Sequence, residues 1–216
     1  MIETPILVVD DEPAFGEIVQ ALAVGAGIKV HTAPDAPAAF QTVREQRFSL
    51  ILMDIEMAGI TGLRGVARIR QTADWTRRVP IIAFSAHHPP GGERFFLERD
   101  FDGWLPKPFT AADLFRTIGR FLPIEAPGEG DTQLAAFMNE AQVDDLIERL
   151  RSSLEKAIAE IDAGADPRPY GHNLGGLSGM IGFKALSSAW LALMEGGKKV
   201  WPTVRKLTVE WLARPA

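Results

Sequence analysis

The stretch of residues 49–57 constrains the fold of this chain more than any other part of the sequence. It begins as a short apolar run, and a single carboxylate, Asp54, stands where that run gives way to the turn residues around Gly59. An unbroken apolar run of this length is typical of a parallel strand buried on both faces. In an open α/β sheet, ligands bind at the carboxyl ends of the strands, which is where Asp54 would lie.

Strands and helices alternate throughout the first 122 residues. Apolar runs predict strands at residues 6–9, 29–32, 49–57, 79–84 and 103–105. Helical spacing, helix caps and breakers predict helices from Pro13 to the stop at Gly25, and over residues 35–46, 63–70, 93–99 and 110–121. This order predicts a doubly wound, five-stranded parallel sheet with helices on both faces, an α/β fold of the flavodoxin-like class.

The pattern changes at residues 123–130, where two prolines, two glycines and two glutamates predict an exposed linker. Beyond this linker the apolar residues follow a helical period and no strand is predicted. The predicted helices are 143–161, 169–183, 185–195 and 203–212, with a shorter helix around 132–139 packing across them. We therefore expect two domains, residues 1–122 and residues 131–216, the second an all-α antiparallel bundle.

Composition excludes several classes of chemistry. The chain has no cysteine, which rules out disulfides and thiol-based catalysis or metal binding. A net charge of −5 argues against nucleic acid as the main partner. The N-terminus does not resemble a signal peptide, and no apolar run approaches the roughly 20 residues of a membrane helix. We expect a cytoplasmic protein without a membrane partner.

Charged and polar side chains follow the predicted strands at one edge of the sheet. Asp10 and Asp11 follow the first strand, Asp54 the third, Ser85 the fourth and Lys107 the fifth. Carboxylates packed together raise one another's pKa, and a divalent cation relieves that repulsion. An all-oxygen site suits Mg²⁺. The two N-terminal aspartates could also cap the following helix, a role compatible with metal binding.

Four of these strand ends, taken together and in order, resemble the receiver domain of two-component response regulators over residues 1–122. The segments that carry the resemblance are residues 8–11 (VVDD), 53–54 (MD), 84–86 (FSA) and 105–109 (LPKPF). The resemblance implies that Asp54 attacks a phosphoryl group and becomes an acyl phosphate. It also implies that Lys107 pairs with the phosphoryl oxygens and that Ser85 hydrogen-bonds them. The alternative is a receiver fold that binds no metal and is never phosphorylated.

The same resemblance implies a metal site and a switch. Asp11 and Asp54 would bind Mg²⁺ directly, Asp10 through water, and Glu56 through its backbone carbonyl. When Ser85 moves toward the phosphoryl group, an aromatic side chain on the fifth strand turns inward, and Trp104 occupies that position. The alternative is that this tryptophan is a half-buried surface residue.

Two segments depart from the receiver pattern. Residues 87–92 (HHPPGG) predict a stiff, then flexible loop at the mouth of the site, and two histidines without a third ligand are weak evidence for a metal site. Asp100 follows Arg99 where the family has a glycine, and aspartate adopts a left-handed conformation only at some cost. The dimerisation mode common in the family therefore cannot be assumed.

Glycines surround one histidine in the predicted helix 169–183. At about 100° per residue, His172, Gly175, Gly176 and Gly179 share one face. Each helical glycine costs about 1 kcal/mol relative to alanine, so the cluster needs a reason. We expect this face to be exposed, with the missing side chains giving another protein access to the imidazole. The alternative is a buried histidine in a helical hairpin.

This stretch resembles a histidine-phosphotransfer (HPt) domain over residues 131–213. The matching residues are His172, Leu174, Gly176, Ser178 and Gly182. The resemblance implies that His172 carries a phosphoryl group. The chain departs from the family at position 175, where glycine replaces the usual lysine.

These features together predict a phosphorelay signalling protein. Asp54 would accept a phosphoryl group from a sensor histidine kinase or another phosphohistidine donor, and His172 would exchange one with a receiver of this or another chain. The sequence lacks a nucleotide-binding glycine loop, which predicts phosphotransfer without an ATP-dependent kinase domain of its own. One alternative is a phosphorylation-regulated interaction module whose helical domain, unphosphorylated, binds a partner or dimerises. Another is a sink that drains phosphoryl groups from a pathway.

Overall fold

The computed structural model describes residues 5–24, 26–57, 59–124 and 138–214 of the chain. The chain divides into two compact units between residues 137 and 138. The first unit contains a sheet covered by helices, and the second is helical. The predicted linker at 123–130 falls mostly outside the described residues, so the domain limits at 122 and 131 remain predictions.

The first unit is built on a parallel sheet with the order β2-β1-β3-β4-β5. Three strands, β1, β3 and β4, are buried along their whole length, as expected for apolar runs covered on both faces. The predicted fold class is therefore confirmed. The strands are β1 Ile6–Val9, β2 Val30–Ala33, β3 Leu50–Asp54, β4 Ile81–Ser85 and β5 Gly103–Pro106.

Five helices connect and follow these strands. They are α1 Pro13–Val24, α2 Ala36–Glu45, α3 Gly62–Arg70, α4 Glu93–Leu97 and α5 Ala111–Gly119. Capping sets two of the starts, because Asp35 accepts from the backbone N of Ala38 and Thr110 from that of Asp113. Helix α4 ends two residues earlier than predicted, and a 3-10 turn at Asp74–Arg77 was not predicted.

Asp100 adopts the left-handed conformation that its position requires, with φ 65°. The backbone there is held by Arg70, whose Nη2 donates to the Asp100 carbonyl at 3.0 Å and to Asp102 Oδ2 at 2.6 Å. The same carboxylate oxygen accepts from the backbone N of Ile81 at 2.8 Å. This network links α3 to the start of β4 and to the turn before β5, which helps to offset the strain at Asp100.

Over residues 138–214, the second unit contains the helices α6 Glu140–Asp162, α7 Arg168–Ile181, α8 Lys184–Gly196 and α9 Trp201–Leu212, with a 3-10 turn at Gly197–Lys199. Its apolar side chains at helical spacing form a core that includes Leu146, Leu150, Leu154, Leu174, Leu177, Leu186, Trp190, Leu193 and Val204. The predicted helix at 132–139 lies outside the described residues up to 137, and Asn139 is the N-cap of α6. Within the described ranges, no helix combines the length and apolarity needed to cross a bilayer.

Candidate functional site

The register of the central strands brings three carboxylates together. β1 and β3 are neighbours with Val9 opposite Met53, so Asp10 and Asp54 extend from adjacent strand ends. One carboxylate oxygen from each of Asp10, Asp11 and Asp54 lies within 4.8 Å of the others. Asp10 and Asp54 are buried, and Asp11 is half-buried. The site therefore holds three acidic groups whose mutual repulsion must be offset.

Lys107 provides part of that compensation from the end of β5. The pairing of Ser85 with Pro106 places the following lysine beside β4, and its backbone N donates to the Ser85 carbonyl at 2.9 Å. Its Nζ lies 2.5 Å from Asp10 Oδ2 and 3.5 Å from Asp54 Oδ2. The lysine is fully buried, so the two ion pairs form in a medium that screens them little.

Burial and charge shift the pKa values of both partners. Burial raises the pKa of Asp10 from 3.8 to about 7, with a further increase from Asp54 and an opposing effect of Lys107. For Lys107, burial acts to lower the pKa, but Asp10 and Asp54 outweigh it and raise the pKa above 10.5. The lysine therefore remains an ammonium ion, and burial makes the Asp10 carboxyl harder to ionise than an exposed one.

Backbone groups fix the direction of the Asp54 side chain. Its Oδ1 accepts from the backbone N of Ile55 at 2.7 Å and of Glu56 at 3.3 Å, while Oδ2 faces Lys107. Gly62, the first residue of α3, lies so close to this strand end that a Cβ would collide with the Asp54 carbonyl oxygen. The sequence analysis did not identify this glycine as part of the site, because a glycine at a helix start carries no distinctive signal.

The acidic cluster is suited to Mg²⁺. Its three residues offer only oxygen ligands, which is the donor set that this ion prefers. Among the described residues there is no other group of three or more acidic or histidine side chains placed to share a metal ion, and neither His87 nor His88 belongs to a group of that size. The ligand role of the Glu56 carbonyl stays a prediction.

Ser85 and Trp104 lie on either side of the loop that follows β4. The Ser85 Oγ, fully buried, accepts from the backbone N of His87 at 3.0 Å. The half-buried Trp104 ring packs against Phe96 with centroids 5.5 Å apart and meets the His88 ring edge-on at 5.2 Å. The loop thus connects the serine beside the carboxylates with the aromatic residue on β5.

His172 does not lie on an open face, contrary to the sequence-based expectation. The imidazole is 1% exposed, on a helix whose other buried residues include Leu174 and Leu177. The expectation failed because helical spacing shows which residues share a face but not what packs on that face. Burial restricts the access of another protein to the imidazole.

Close packing between α7 and α8 explains two of the glycines. A Cβ at Gly171 would lie 2.7 Å from the carbonyl oxygen of Trp190. A Cβ at Gly175 would lie 2.7 Å from Leu191 Cγ and 3.0 Å from the Leu191 backbone N. The lysine that the HPt family usually has at position 175 therefore cannot fit unless α8 moves.

The comparisons with known proteins agree with the geometry of the first unit. Residues 6–119 match the response regulator receiver domain family. The receiver domain of the sensor histidine kinase PA1611 of Pseudomonas aeruginosa, solved with a magnesium ion coordinated in its active-site cleft, is 32% identical with a TM-score of 0.50 and covers 55% of this chain and 96% of that one. The chemotaxis protein CheY4 of Vibrio cholerae is 28% identical with a TM-score of 0.52, covering 55% and 98%.

Curated relatives include much larger proteins. The sensor histidine kinase GacS of Pseudomonas protegens is 29% identical over 160 residues, covering 70% of this chain and 17% of GacS. The sensor histidine kinase AruS of Pseudomonas aeruginosa is 36% identical over 115 residues, covering 53% of this chain and 12% of AruS. The chain thus spans less than a fifth of either protein.

Proposed function

Because this chain belongs to the response regulator receiver family through residues 6–119, we propose that it acts in a phosphorelay in which Asp54 accepts a phosphoryl group from a phosphohistidine donor. The observation that carries this proposal is the position of Lys107. Its buried ammonium contacts both Asp10 and Asp54, within a cluster completed by Asp11. That arrangement supplies a nucleophile, acidic ligands and a cation for the incoming phosphoryl oxygens.

The proposed reaction is a transfer from nitrogen to oxygen. A carboxylate oxygen of Asp54 forms a bond to phosphorus while the P–N bond of the donor breaks, and the electron pair returns to the donor nitrogen, which takes up a proton. Since Oδ1 is held by two backbone N–H groups, Oδ2 is the attacking atom. Asp54 is fully buried, so the donor reaches it only when neighbouring side chains move aside.

Asp10, Asp11 and Asp54 would hold Mg²⁺, with the carbonyl of Glu56 as a further ligand. The bound ion supplies neutralisation of the charge on the transferring phosphoryl group. Lys107 pairs with the phosphoryl oxygens through its ammonium. The oxygen-only donor set of the cluster supports this assignment.

Ser85 and Trp104 would transmit the modification. We propose that the Ser85 side chain moves toward the phosphoryl group and donates a hydrogen bond to it, so that its oxygen draws away from the backbone N of His87, from which it now accepts. The loop after β4 then shifts and changes the packing of Trp104 on Phe96 and His88.

For the helical unit the HPt motif supports a relay role in which His172 carries or exchanges the phosphoryl group with a receiver. The match to GacS covers 70% of this chain, so it extends beyond residue 119, where the receiver family match ends. This role requires that the buried imidazole becomes accessible.

A second candidate is favoured by the burial of His172 at 1% exposure. In it the helical unit is never phosphorylated and instead binds a partner or dimerises under control of Asp54. The close contact at Gly175, which excludes the family's usual lysine, also supports this candidate. Of the two, it agrees better with the geometry.

The test uses radiolabelled phosphoramidate, a small donor with a P–N bond, followed by acid and base treatment of the labelled protein. Acyl phosphate on aspartate is lost in base, whereas phosphohistidine is lost in acid. We expect base-labile label that disappears in Asp54→Ala and persists in Asp145→Ala, an exposed control. Unchanged labelling of Asp54→Ala would exclude the receiver function.

The same labelled protein separates the two candidates for the helical unit. Base-stable label that depends on both Asp54 and His172, and is retained in the exposed control His31→Ala, identifies a relay. The absence of base-stable label, both in the wild type and after incubation with a second phosphorylated receiver, would instead support the candidate in which the helical unit is an interaction module.

A further inference from the structure

Two aromatic rings lie against the ammonium of Lys107. Its Nζ lies 4.0 Å from the ring centroid of Phe15, on α1, and 4.3 Å from that of Phe84, on β4. Both rings are fully buried, as is the lysine. The receiver site therefore holds its cation against two aromatic faces and two carboxylates, away from bulk solvent.

The rings are themselves fixed. Phe15 and Phe84 meet edge to face, with centroids 5.8 Å apart and an interplanar angle of 82°. Phe84 also packs against Phe109, two residues after the lysine, at 5.3 Å. Because each ring packs against another ring, its movement is restricted. The pair therefore keeps its position if the ammonium moves.

The unequal distances of the two ion pairs indicate what the two rings do. Nζ lies 1.0 Å closer to Asp10 than to Asp54, so electrostatic attraction alone draws the lysine toward Asp10. A buried cation over an aromatic face is attracted by the ring quadrupole, most strongly where water is excluded. Attraction to the rings limits how far the ammonium can move toward Asp10, and it stabilises the charge of a group that bulk solvent does not reach.

We propose that Phe15 and Phe84 are positioning residues for phosphoryl transfer, which hold the Lys107 ammonium within reach of Asp54 through cation–π contacts. The inference rests on the proposed receiver function. It assigns a functional role to two residues that would otherwise be described only as part of the hydrophobic core.

The first test observes the lysine directly in the metal-free protein. With its charge excluded from solvent, the Lys107 ammonium is expected to give a slowly exchanging proton–nitrogen NMR signal, shifted upfield by both rings and absent in Lys107→Met. Phe15→Leu should move that signal downfield and broaden it. An ammonium signal of Lys107 without an upfield shift, or one unchanged by Phe15→Leu, would overturn the proposal, whatever the outcome of the labelling experiment.

The second test separates ring electrostatics from packing. Phenylalanine at position 15 is replaced by its mono-, di- and trifluorinated analogues, which keep nearly the same shape but weaken the negative face of the ring step by step. We expect the rate of Asp54 labelling by phosphoramidate with Mg²⁺ to fall with each fluorine, by about threefold or more across the series.

Two controls make this decisive. In the Lys107→Met background the fluorinated series should have no further effect, because no cation remains over the ring. The same analogues at Phe40, whose ring lies 4.6 Å from the Arg68 guanidinium outside the site, should leave the rate unchanged. Equal losses with and without the lysine would show a packing effect and overturn the proposal, while wild-type protein that takes no label would instead refute the receiver function.

Discussion

At the scale of single residues, Lys107 and the three aspartates depend on one another. Pairing offsets the cost of burying a charge, and removing one partner leaves the other charge buried without compensation. The short contact with Asp10 and the longer one with Asp54 satisfy this requirement when no metal is bound. A bound divalent cation would compensate the negative charge of the same carboxylates.

Lys107→Met should therefore destabilise the metal-free receiver unit by about 3–5 kcal/mol, since two buried carboxylates lose their cation. Mg²⁺ should restore more stability to this variant than to the wild type. Urea unfolding with Mg²⁺ and with a chelator measures both effects. The control is Lys206→Met, an exposed lysine 3.9 Å from Glu210, for which less than about 1 kcal/mol is expected. Equal responses of the two variants would contradict the prediction.

Gly175 is a second position that matters at this scale, because the absence of a side chain there allows α7 and α8 to pack closely. Gly175→Ala should cost about 1–3 kcal/mol, because its Cβ would lie 2.7 Å from Leu191 Cγ. Gly119→Ala in α5 is the matched control, with Ile124 Cγ1 at 3.8 Å as its nearest neighbour, and should be neutral or stabilising by up to about 1 kcal/mol. Urea unfolding followed by circular dichroism compares them. A Gly175→Ala variant as stable as the control would show that α8 yields easily.

At the scale of elements, local capping determines where several helices begin. Helix α5 starts with a reciprocal pair, in which the Thr110 hydroxyl accepts from the backbone N of Asp113 at 3.1 Å and the Asp113 carboxylate accepts from the backbone N of Thr110 at 3.0 Å. Asp113 also pairs with Arg116 at 2.7 Å. Threonine followed three residues later by an acidic residue is visible in the sequence, so this start is predictable.

The Asp113 pair makes the stability of α5 depend on pH. Partial burial acts to raise the pKa of Asp113, but hydrogen bonds from Thr110 and Arg116 outweigh it and lower the pKa below 3.8. Its contribution is therefore complete above pH 3.8 and is lost as the pH falls through the lowered value. Asp113→Ala should cost about 0.5–1 kcal/mol at neutral pH and much less in acid below the lowered pKa. Urea unfolding of Asp113→Ala, against the exposed control Asp144→Ala, tests this, and a cost independent of pH would contradict it.

At the scale of the whole molecule, the two units carry separate hydrophobic cores. The receiver core includes the buried strands and the aromatic residues around them, whereas the helical core is organised around Trp190, whose Nε1 donates to Thr208 at 3.0 Å. Each core draws its residues from a continuous part of the chain, which is the usual basis for independent folding.

Fragments 1–124 and 131–216 should therefore each unfold cooperatively. Thermal unfolding of the separate fragments, followed by circular dichroism, measures this. The destabilising Trp190→Ala variant provides the control, because it should abolish the transition of the second fragment by removing its central side chain. A wild-type second fragment without a cooperative transition would contradict the two-domain division.

The sequence by itself determined the receiver fold and the identity of its acidic site. Short apolar runs indicate buried strands, and parallel strands bring their carboxyl ends to one edge of the sheet, so the sequence alone groups Asp10, Asp54 and Lys107. The left-handed turn at Asp100 was expected from the receiver resemblance, because the family has a glycine at that position.

Only the tertiary structure decided what lies against each face. Helical spacing grouped His172 with its glycines, but burial of that face and the contact of Gly175 with Leu191 depend on residues distant in sequence. The contacts of the Lys107 ammonium with Phe15 and Phe84 likewise bring together residues of separate elements. Local patterns determine backbone conformation because sterics and hydrogen bonding act between near neighbours, whereas side-chain packing is set by which elements meet.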